Sequence, residues 1–597
     1  MKHASLLAAI AVVCGMTGHA AATRVDRCDD CRVARVWPTT NAAFPETESL
    51  RRDRADALDL GFAFSGGGTR SASATTGQLR ALAYNGWITK ARYIAAVSGG
   101  SWASIPYTYT VLDDLDLLGP IVPPEELDYD GLVNCADGRI AKAGGASGLP
   151  VASLREAVWR LSAPAFQKDT GATMGFLKTG LSSLLSRREG DREEKTFARV
   201  IGDTFIDPIV DPAAGQASRR AFAWDDDSVS GIVADNPGTL SHIQFLTTSA
   251  ARRPFLIVGG TVASTRPIYD YPLLMPIELT PMYAGIRHAF GRKYGGTYIA
   301  SWAYDRRPEG PSDGKTLTVH QGASDRNFTI ADMAAVAGSA PELALLLGQK
   351  LSSLPSWAQA FSGSLAGFFP SLTHVTIRDG GVVVSGPTPH GDGGFTDNFG
   401  LMPLLARGVK NIIVFANVNG EYDTNDDIAS YFERVPDPGF TGNKSLNVVF
   451  EPRGYGAMKK AFAKDVETGK PLVFCDRGWK VMANETYEIA PYTLDGICWV
   501  YLHAVEDWSS RVKRRDPRLV ELLKKKKYST FPWYDTFKQL KLDVPQVNLL
   551  ANLESWIMTD RGVVSTIRAS IPALPDPPAR PAPATPYRFT AKQCVAP

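Results

Sequence analysis

Residues 58–102 read LDLGFAFSGGGTRSASATTGQLRALAYNGWITKARYIAAVSGGSW, and the breaks in this stretch decide the fold. The apolar run 58–64 has the length and composition of a strand. Ser65-Gly66-Gly67-Gly68-Thr69-Arg70 interrupts it with three consecutive glycines. Small residues follow over 72–85, with Leu79 and Leu82 at helical spacing and Gly86 placed as a helix stop. A second apolar run, 93–97, ends in Ser98-Gly99-Gly100-Ser101-Trp102. The pattern is a β-α-β unit with both special turns at the carboxyl ends of its strands, the edge where open parallel sheets hold ligands.

Ser98 is the candidate nucleophile. A serine between a buried strand and a helix, beside residues with little or no side chain, suits an elbow that exposes the hydroxyl. The segment is A-V-S-G-G, with Ala96 where the strict pattern has glycine. In isolation it reads first as a strand-to-helix connector. The earlier glycine turn shifts the balance, because the amides of Gly66, Gly67 and Gly68, with Gly99 of the elbow, can hold the oxyanion of an acyl intermediate. Phosphate binding falls behind: no Lys-Ser or Lys-Thr pair follows the glycines, and no acidic residue stands about twenty positions on to take a ribose.

SGGGTR at 65–70 followed by VSGGSW at 97–102 resembles the patatin-like and cytosolic phospholipase A2-like acyl hydrolases, nearest the cytosolic phospholipase A2 branch. That family uses a serine–aspartate dyad without histidine. Its aspartate segment has a counterpart in HGDGGFTDNFGLMPLLARGV at 390–409, followed by the apolar run NIIVFAN at 411–417. The resemblance assigns the aspartate's role to Asp392 and substrate binding to Arg70 and Arg407, with Arg70 holding a head group or ordering the oxyanion loop. RPFLIVGGT at 253–261 and PIELTPMYAG at 276–285 also fit the family's middle segments. The implied fold is α/β, a mainly parallel central sheet with helices on both faces and a large helical lid or cap insertion. The implied activity is hydrolysis of carboxylic esters in phospholipids or other membrane lipids, of phospholipase A or lysophospholipase type, with no cofactor and no metal. No calcium-binding C2 module is recognisable.

Composition bounds the rest. The chain has 597 residues, 44% hydrophobic and 21% charged, enough to bury a large core. With 64 basic and 62 acidic residues, the net charge of +2 gives no nucleic-acid signature. Lys2, the apolar run 4–16 and Ala20-Ala21-Ala22 read as a secretory signal cleaved after Ala22, so the expected location is secreted or periplasmic. The apolar run is shorter than the roughly 20 residues of a membrane-spanning helix. Six cysteines remain beyond it, and Cys475–Cys498 is the first disulfide to test. Cys28-Asp29-Asp30-Cys31 lacks a second C-x-x-C to complete a zinc set.

The expected organisation is a signal over 1–22, an N-terminal segment over 23–57, and a catalytic domain over 58–570. The domain carries a cap insertion at about 103–252, and a proline-rich tail follows over 571–597. Apolar residues at helical spacing over 153–161 and 173–187 read as core-packed helices or as a lid. The aromatic-rich segment 266–305 is expected to line the substrate approach, 334–347 and 351–369 look helical, and 373–384 reads as strand, turn, strand. Basic residues beside aromatics over 511–534 can dock peripherally on an anionic bilayer or form a solvated helix end. Residues 548–558 read as a short amphipathic helix. His390 and Asp397 beside Asp392 read as structural. Two rival readings stand: an α/β-hydrolase esterase or lipase using Ser98, an acid and a late histidine such as His503, and a non-catalytic lipid-binding protein on the same fold.

Overall fold

The computed structural model describes residues 31–39, 43–127, 129–134, 196–211, 216–240, 243–249, 252–264, 273–320, 327–339, 370–378, 381–422, 427–434, 447–535 and 542–578. In chain order the first strands are β1 (Cys31–Pro38), β2 (Leu58–Phe64), β3 (Ala91–Val97), β4 (Phe255–Ala263), β5 (Leu274–Leu279), β6 (Tyr283–Ile286), β7 (Thr297–Ala300) and β8 (Thr316–His320). Then come β9 (Ser371–Leu372), the hairpin β10 (Val375–Arg378) and β11 (Gly381–Val384), β12 (Thr388–Asp392), β13 (Asn411–Ala416) and β14 (Leu472–Asp476). The short pair β15 (Lys480–Val481) and β16 (Tyr492–Thr493) precedes β17 (Gly496–Tyr501).

The apolar runs become strands because alternate side chains find cores on opposite faces. Leu60, Phe62 and Phe64 of β2 and Ile94 and Ala96 of β3 enter one core. Ala63, Tyr93 and Ala95 enter the other. Strands buried on both faces need helices on both, and the chain is α/β. β17, β13, β2, β3 and β4 run parallel at the centre. Antiparallel strands extend the sheet on either side, β14 beside β17 and β5–β6–β7–β1–β8 beyond β4.

Helix α1 (Thr47–Asp53) precedes β2, α2 (Gly68–Tyr84) connects β2 to β3, and α3 (Ser98–Tyr109) leaves β3. The most extensive helix–helix contact among the described residues joins α2 to the Val544–Thr559 helix. Gly77 makes it possible: a Cβ there would come 2.1 Å from the Ala551 carbonyl oxygen. Gly77→Ala is therefore expected to lower stability by about 3 kcal/mol, the upper end of overpacking costs, despite alanine's better helix propensity. A urea midpoint equal to that of the wild type would show that the two helices can separate at no cost.

Several sequence expectations change. The N-terminal segment belongs to the sheet, since β1 pairs with both β7 and β8. The fold also runs past 570: Ile571 and Leu574 are buried, and Trp87 donates to the Pro575 carbonyl at 3.0 Å. Tyr283, Tyr298 and Tyr304 are buried in the core and do not line an approach to the site. The Val544–Thr559 helix is buried from Pro545 to Thr559, so it is not amphipathic in the surface sense. Strand, turn, strand holds at β10 and β11. Cys475 and Cys498 face each other across β14 and β17 and form a disulfide. The signal, the helices at 153–161 and 173–187, most of 334–369, Cys28 and the tail beyond 578 lie outside the described residues.

Candidate active site

Strand register brings the two ends of the site together. β4 pairs with β3 through Val97↔Gly259 and with β12 through Asp392↔Gly260. β3 runs parallel to β4 and β12 antiparallel, with β5 on the other edge of β4. The two strands therefore meet tip to tip along one edge, and Ser98 leaves β3 where Asp392 arrives on β12. The Ser98 hydroxyl lies beside the Asp392 carboxyl and favours its ionised form.

Ser98 adopts φ 49, a left-handed conformation that costs a non-glycine residue roughly 1–3 kcal/mol and must be held by its surroundings. Ser101 Oγ donates to its carbonyl at 2.5 Å. Gly99 packs on the glycine turn so closely that a Cβ would lie 1.9 Å from the Gly68 carbonyl oxygen. Asp392 accepts from the Gly394 amide at 2.8 Å, and its own carbonyl accepts from Thr261 Oγ1 at 2.8 Å. Burial pushes the Asp392 carboxyl up to about 6, with the neighbouring Ser98 hydroxyl and the bond from Gly394 opposing the shift. A base with that value is matched to neutral pH.

Gly68 and Gly99 stand at the starts of α2 and α3, where amides have no intrahelical acceptor. Both helix N-termini carry partial positive charge beside Ser98. Gly67 caps α2 at φ 135. Gly66 is a correction: its N–H donates to the Asn398 carbonyl at 2.8 Å, so it ties the glycine turn to the Asp392 loop and is not an oxyanion donor.

The two arginines are also corrections. Arg70 is buried, its Nε and Nη2 donating to the Asn417 carbonyl at 3.2 and 3.1 Å and its Nη1 to the Tyr534 carbonyl. Burial pushes its guanidinium down to about 10. It lies under the glycine turn, since a Cβ on Gly67 would come 2.5 Å from Nη2, and it braces that turn without reaching a head group. Arg407 binds Glu46 at 2.7 Å, both oxygens of Glu278 at 2.9 and 2.8 Å, and the Tyr283 hydroxyl at 2.6 Å, all within the core. That network fixes the N-terminal segment to the sheet and leaves no path to a substrate.

His390 and His503 have partners away from Ser98. His390 uses Nε2 with the Tyr304 hydroxyl and Nδ1 with the Thr388 carbonyl, both at 2.7 Å. His503 follows β17, three strands from β3 in the order β17–β13–β2–β3, or about 14 Å at ~4.8 Å per strand. Its ring faces Trp533. Asp397 is structural, accepting from the Tyr431 hydroxyl and from the Met402 amide at 2.8 Å. Among the described residues no group of His, Cys, Asp and Glu could hold a metal.

The segment read as a bilayer-docking surface or a solvated helix end is compensated at four of its cations. Arg511 pairs with Asp507 and Glu125, Arg518 with Asp130 and Asp516, Lys524 with Glu521, and Lys527 with Asp543. Tyr528 and Tyr534 point inward. Asn398 is a site residue with no role assigned from sequence. Its carbonyl holds Gly66, its Nδ2 donates to Asp427 at 2.9 Å, and its Oδ1 fills the space that a Cβ on Gly66 or Gly394 would need.

No family model matches the chain, and no curated protein matches it in sequence. Solved structures do. Human GIVD cytosolic phospholipase A2 aligns at TM-score 0.45 and 14% identity, covering 88% of this chain and 65% of that one. The same human protein in complex with methyl gamma-linolenyl fluorophosphonate and terbium chloride aligns at TM-score 0.41, and with the fluorophosphonate at 0.37. Both again show 14% identity and cover 88% of this chain and 62% of theirs. The chain thus spans less than two thirds of the length of the structures it matches.

Proposed function

We propose that the chain is a lipid acyl hydrolase, of phospholipase A or lysophospholipase type, working through a Ser98–Asp392 dyad. The observation that carries the reading is the strand register that sets the Ser98 hydroxyl beside a buried carboxyl, next to the starts of two helices. Asp392 takes the Ser98 proton as Oγ attacks the ester carbonyl, and the oxyanion forms against the amides of Gly68 and Gly99. The leaving alkoxide recovers the proton from Asp392, giving free alcohol and an acyl-serine. Asp392, again a carboxylate, then activates water, which releases the fatty acid and restores Ser98. A site that keeps its base dry suits an ester carried on an apolar chain, and the resemblance of 65–102 and 390–409 favours the same substrate class. The Cys475–Cys498 disulfide favours an oxidising compartment, in keeping with the signal expected at 1–22.

A fluorophosphonate acyl mimic tests the reading. Labelling is expected on wild-type protein, at Ser98 in the peptide map, and absent from Ser98→Ala. Unchanged labelling in His503→Gln would separate the dyad from a histidine triad. No labelling of the folded wild type would favour a non-catalytic lipid-binding protein. Free fatty acid released from a mixed panel of phospholipids, lysophospholipids and neutral esters would identify the substrate.

A further inference from the structure

Between α2 and the Val544–Thr559 helix lies a set of buried polar side chains that the dyad does not use. Glu554 is fully buried, and its Oε2 accepts from Gln78 Nε2 at 2.7 Å while Oε1 has no hydrogen-bond partner. Gln78 Nε2 donates a second time, to Asn417 Oδ1 at 2.7 Å. Asn417 Nδ2 answers toward Gln78 Oε1 at 3.3 Å and also reaches Ser71 Oγ and Thr75 Oγ1 at 3.1 and 3.2 Å. The main chain of Asn417 faces the site. Its amide donates to Ser65 Oγ at 2.7 Å, and its carbonyl receives Arg70, the residue packed under Gly67.

A helix interface of this kind gains nothing in stability from a buried carboxyl, which costs free energy to desolvate and is replaceable by an apolar side chain of similar volume. What the carboxylate does supply is direction. Gln78 can turn its amide over, and in the reversed orientation its oxygen would face the Asn417 oxygen. The Glu554 oxygen that accepts at the other end holds the NH2 edge toward both partners. Asn417 is then fixed, and with it the two main-chain groups that hold Ser65 and Arg70.

We propose that Glu554 is a positioning residue for acyl transfer: through Gln78 and Asn417 it orients the Ser65–Gly68 turn, and thereby the amides that receive the oxyanion. This rests on hydrolysis at Ser98 as proposed above. The effect belongs to the transition state, so it should appear in kcat and leave KM in place.

The test uses the full chain, a soluble p-nitrophenyl ester, and the variants Glu554→Leu, Glu554→Gln and Ser98→Ala. Glu554→Leu is expected to lower kcat about tenfold or more, a fraction of what loss of an oxyanion donor costs, with KM within about twofold and Tm not reduced. Glu554→Gln keeps an acceptor and is expected to restore kcat to within about threefold of wild type. Gln78→Met cuts the next link and should reproduce the Glu554→Leu kinetics, including when that variant does not fold. Wild-type kcat in Glu554→Leu or Gln78→Met overturns the relay. So does a fall in kcat that follows Tm and that glutamine does not rescue, because that is the behaviour of a packing residue. A wild type no more active than Ser98→Ala overturns hydrolysis at Ser98, and the relay with it.

Discussion

Asp392→Asn is expected to abolish hydrolysis and to make the protein more stable. The first effect follows from the loss of the carboxyl that lies beside the Ser98 hydroxyl and is placed to take its proton. A general base contributes about 10²–10⁴-fold, and His390 and His503 are engaged with Tyr304, Thr388 and Trp533. The second effect follows from the same burial that tunes the base. A carboxyl whose folded value is raised from 3.8 to about 6 holds its proton more tightly in the fold than in the unfolded chain. Above pH 6 the folded protein bears the full cost of the dry carboxylate, about 3 kcal/mol, and below pH 4 it bears none. This group's contribution to stability therefore falls as pH rises from 4 to 6 and is flat beyond.

An asparagine is neutral throughout and keeps an oxygen for the Gly394 amide. Urea unfolding at pH 8 should show Asp392→Asn more stable than wild type, with the gap closing at pH 4. The activity of the wild type should rise with pH through about 6. An asparagine variant that retains a substantial part of the activity would remove Asp392 from the mechanism. One that is active only at the background level but less stable at pH 8 would place the carboxyl in a wetter setting than its burial implies.

Gly99→Ala is the second large effect, and it tests the turn without touching either dyad side chain. The added methyl would sit 1.9 Å from the Gly68 carbonyl oxygen and 2.9 Å from its nitrogen, so main chain must move. The atoms in the way belong to the first residue of α2, and they yield only if α2 and α3 part at their starts. That displaces both amides assigned to the oxyanion. Misplacing one such donor costs about 10²–10³-fold in kcat. Overpacking adds about 1–3 kcal/mol of lost stability. The expected signature is a folded protein with a near-normal KM, a collapsed kcat and slow fluorophosphonate labelling. A variant with normal turnover would mean that the oxyanion is held elsewhere.

The central unit was legible because it is local. Strand, glycine turn, helix, strand and serine elbow follow one another within 58–102, and each step is signalled by adjacent residues. Asp392 was legible through its glycines and the apolar run that becomes β13. Its approach to Ser98 was not, because that depends on β4 pairing with β3 in its first half and with β12 in its second. Charged residues were misread for the same reason. The partners of Arg407 are Glu46, Glu278 and Tyr283, and those of Arg70 are the carbonyls of Asn417 and Tyr534, all remote in sequence. Read alone, each arginine looks available to a ligand. Asn548, Asn552 and Glu554 gave the stretch 548–558 the appearance of a wet face, yet all three are buried and hydrogen-bonded within the core.

β3 and β12 each take their place from β4 and not from one another. The connections from β3 to β4 and from β4 to β12 can change in length without altering the separation of Ser98 and Asp392, provided both pairings with β4 are kept. Under the proposed acyl transfer, substrate preference is then free to drift with whatever is inserted there, while Ser98 and Asp392 stay in place.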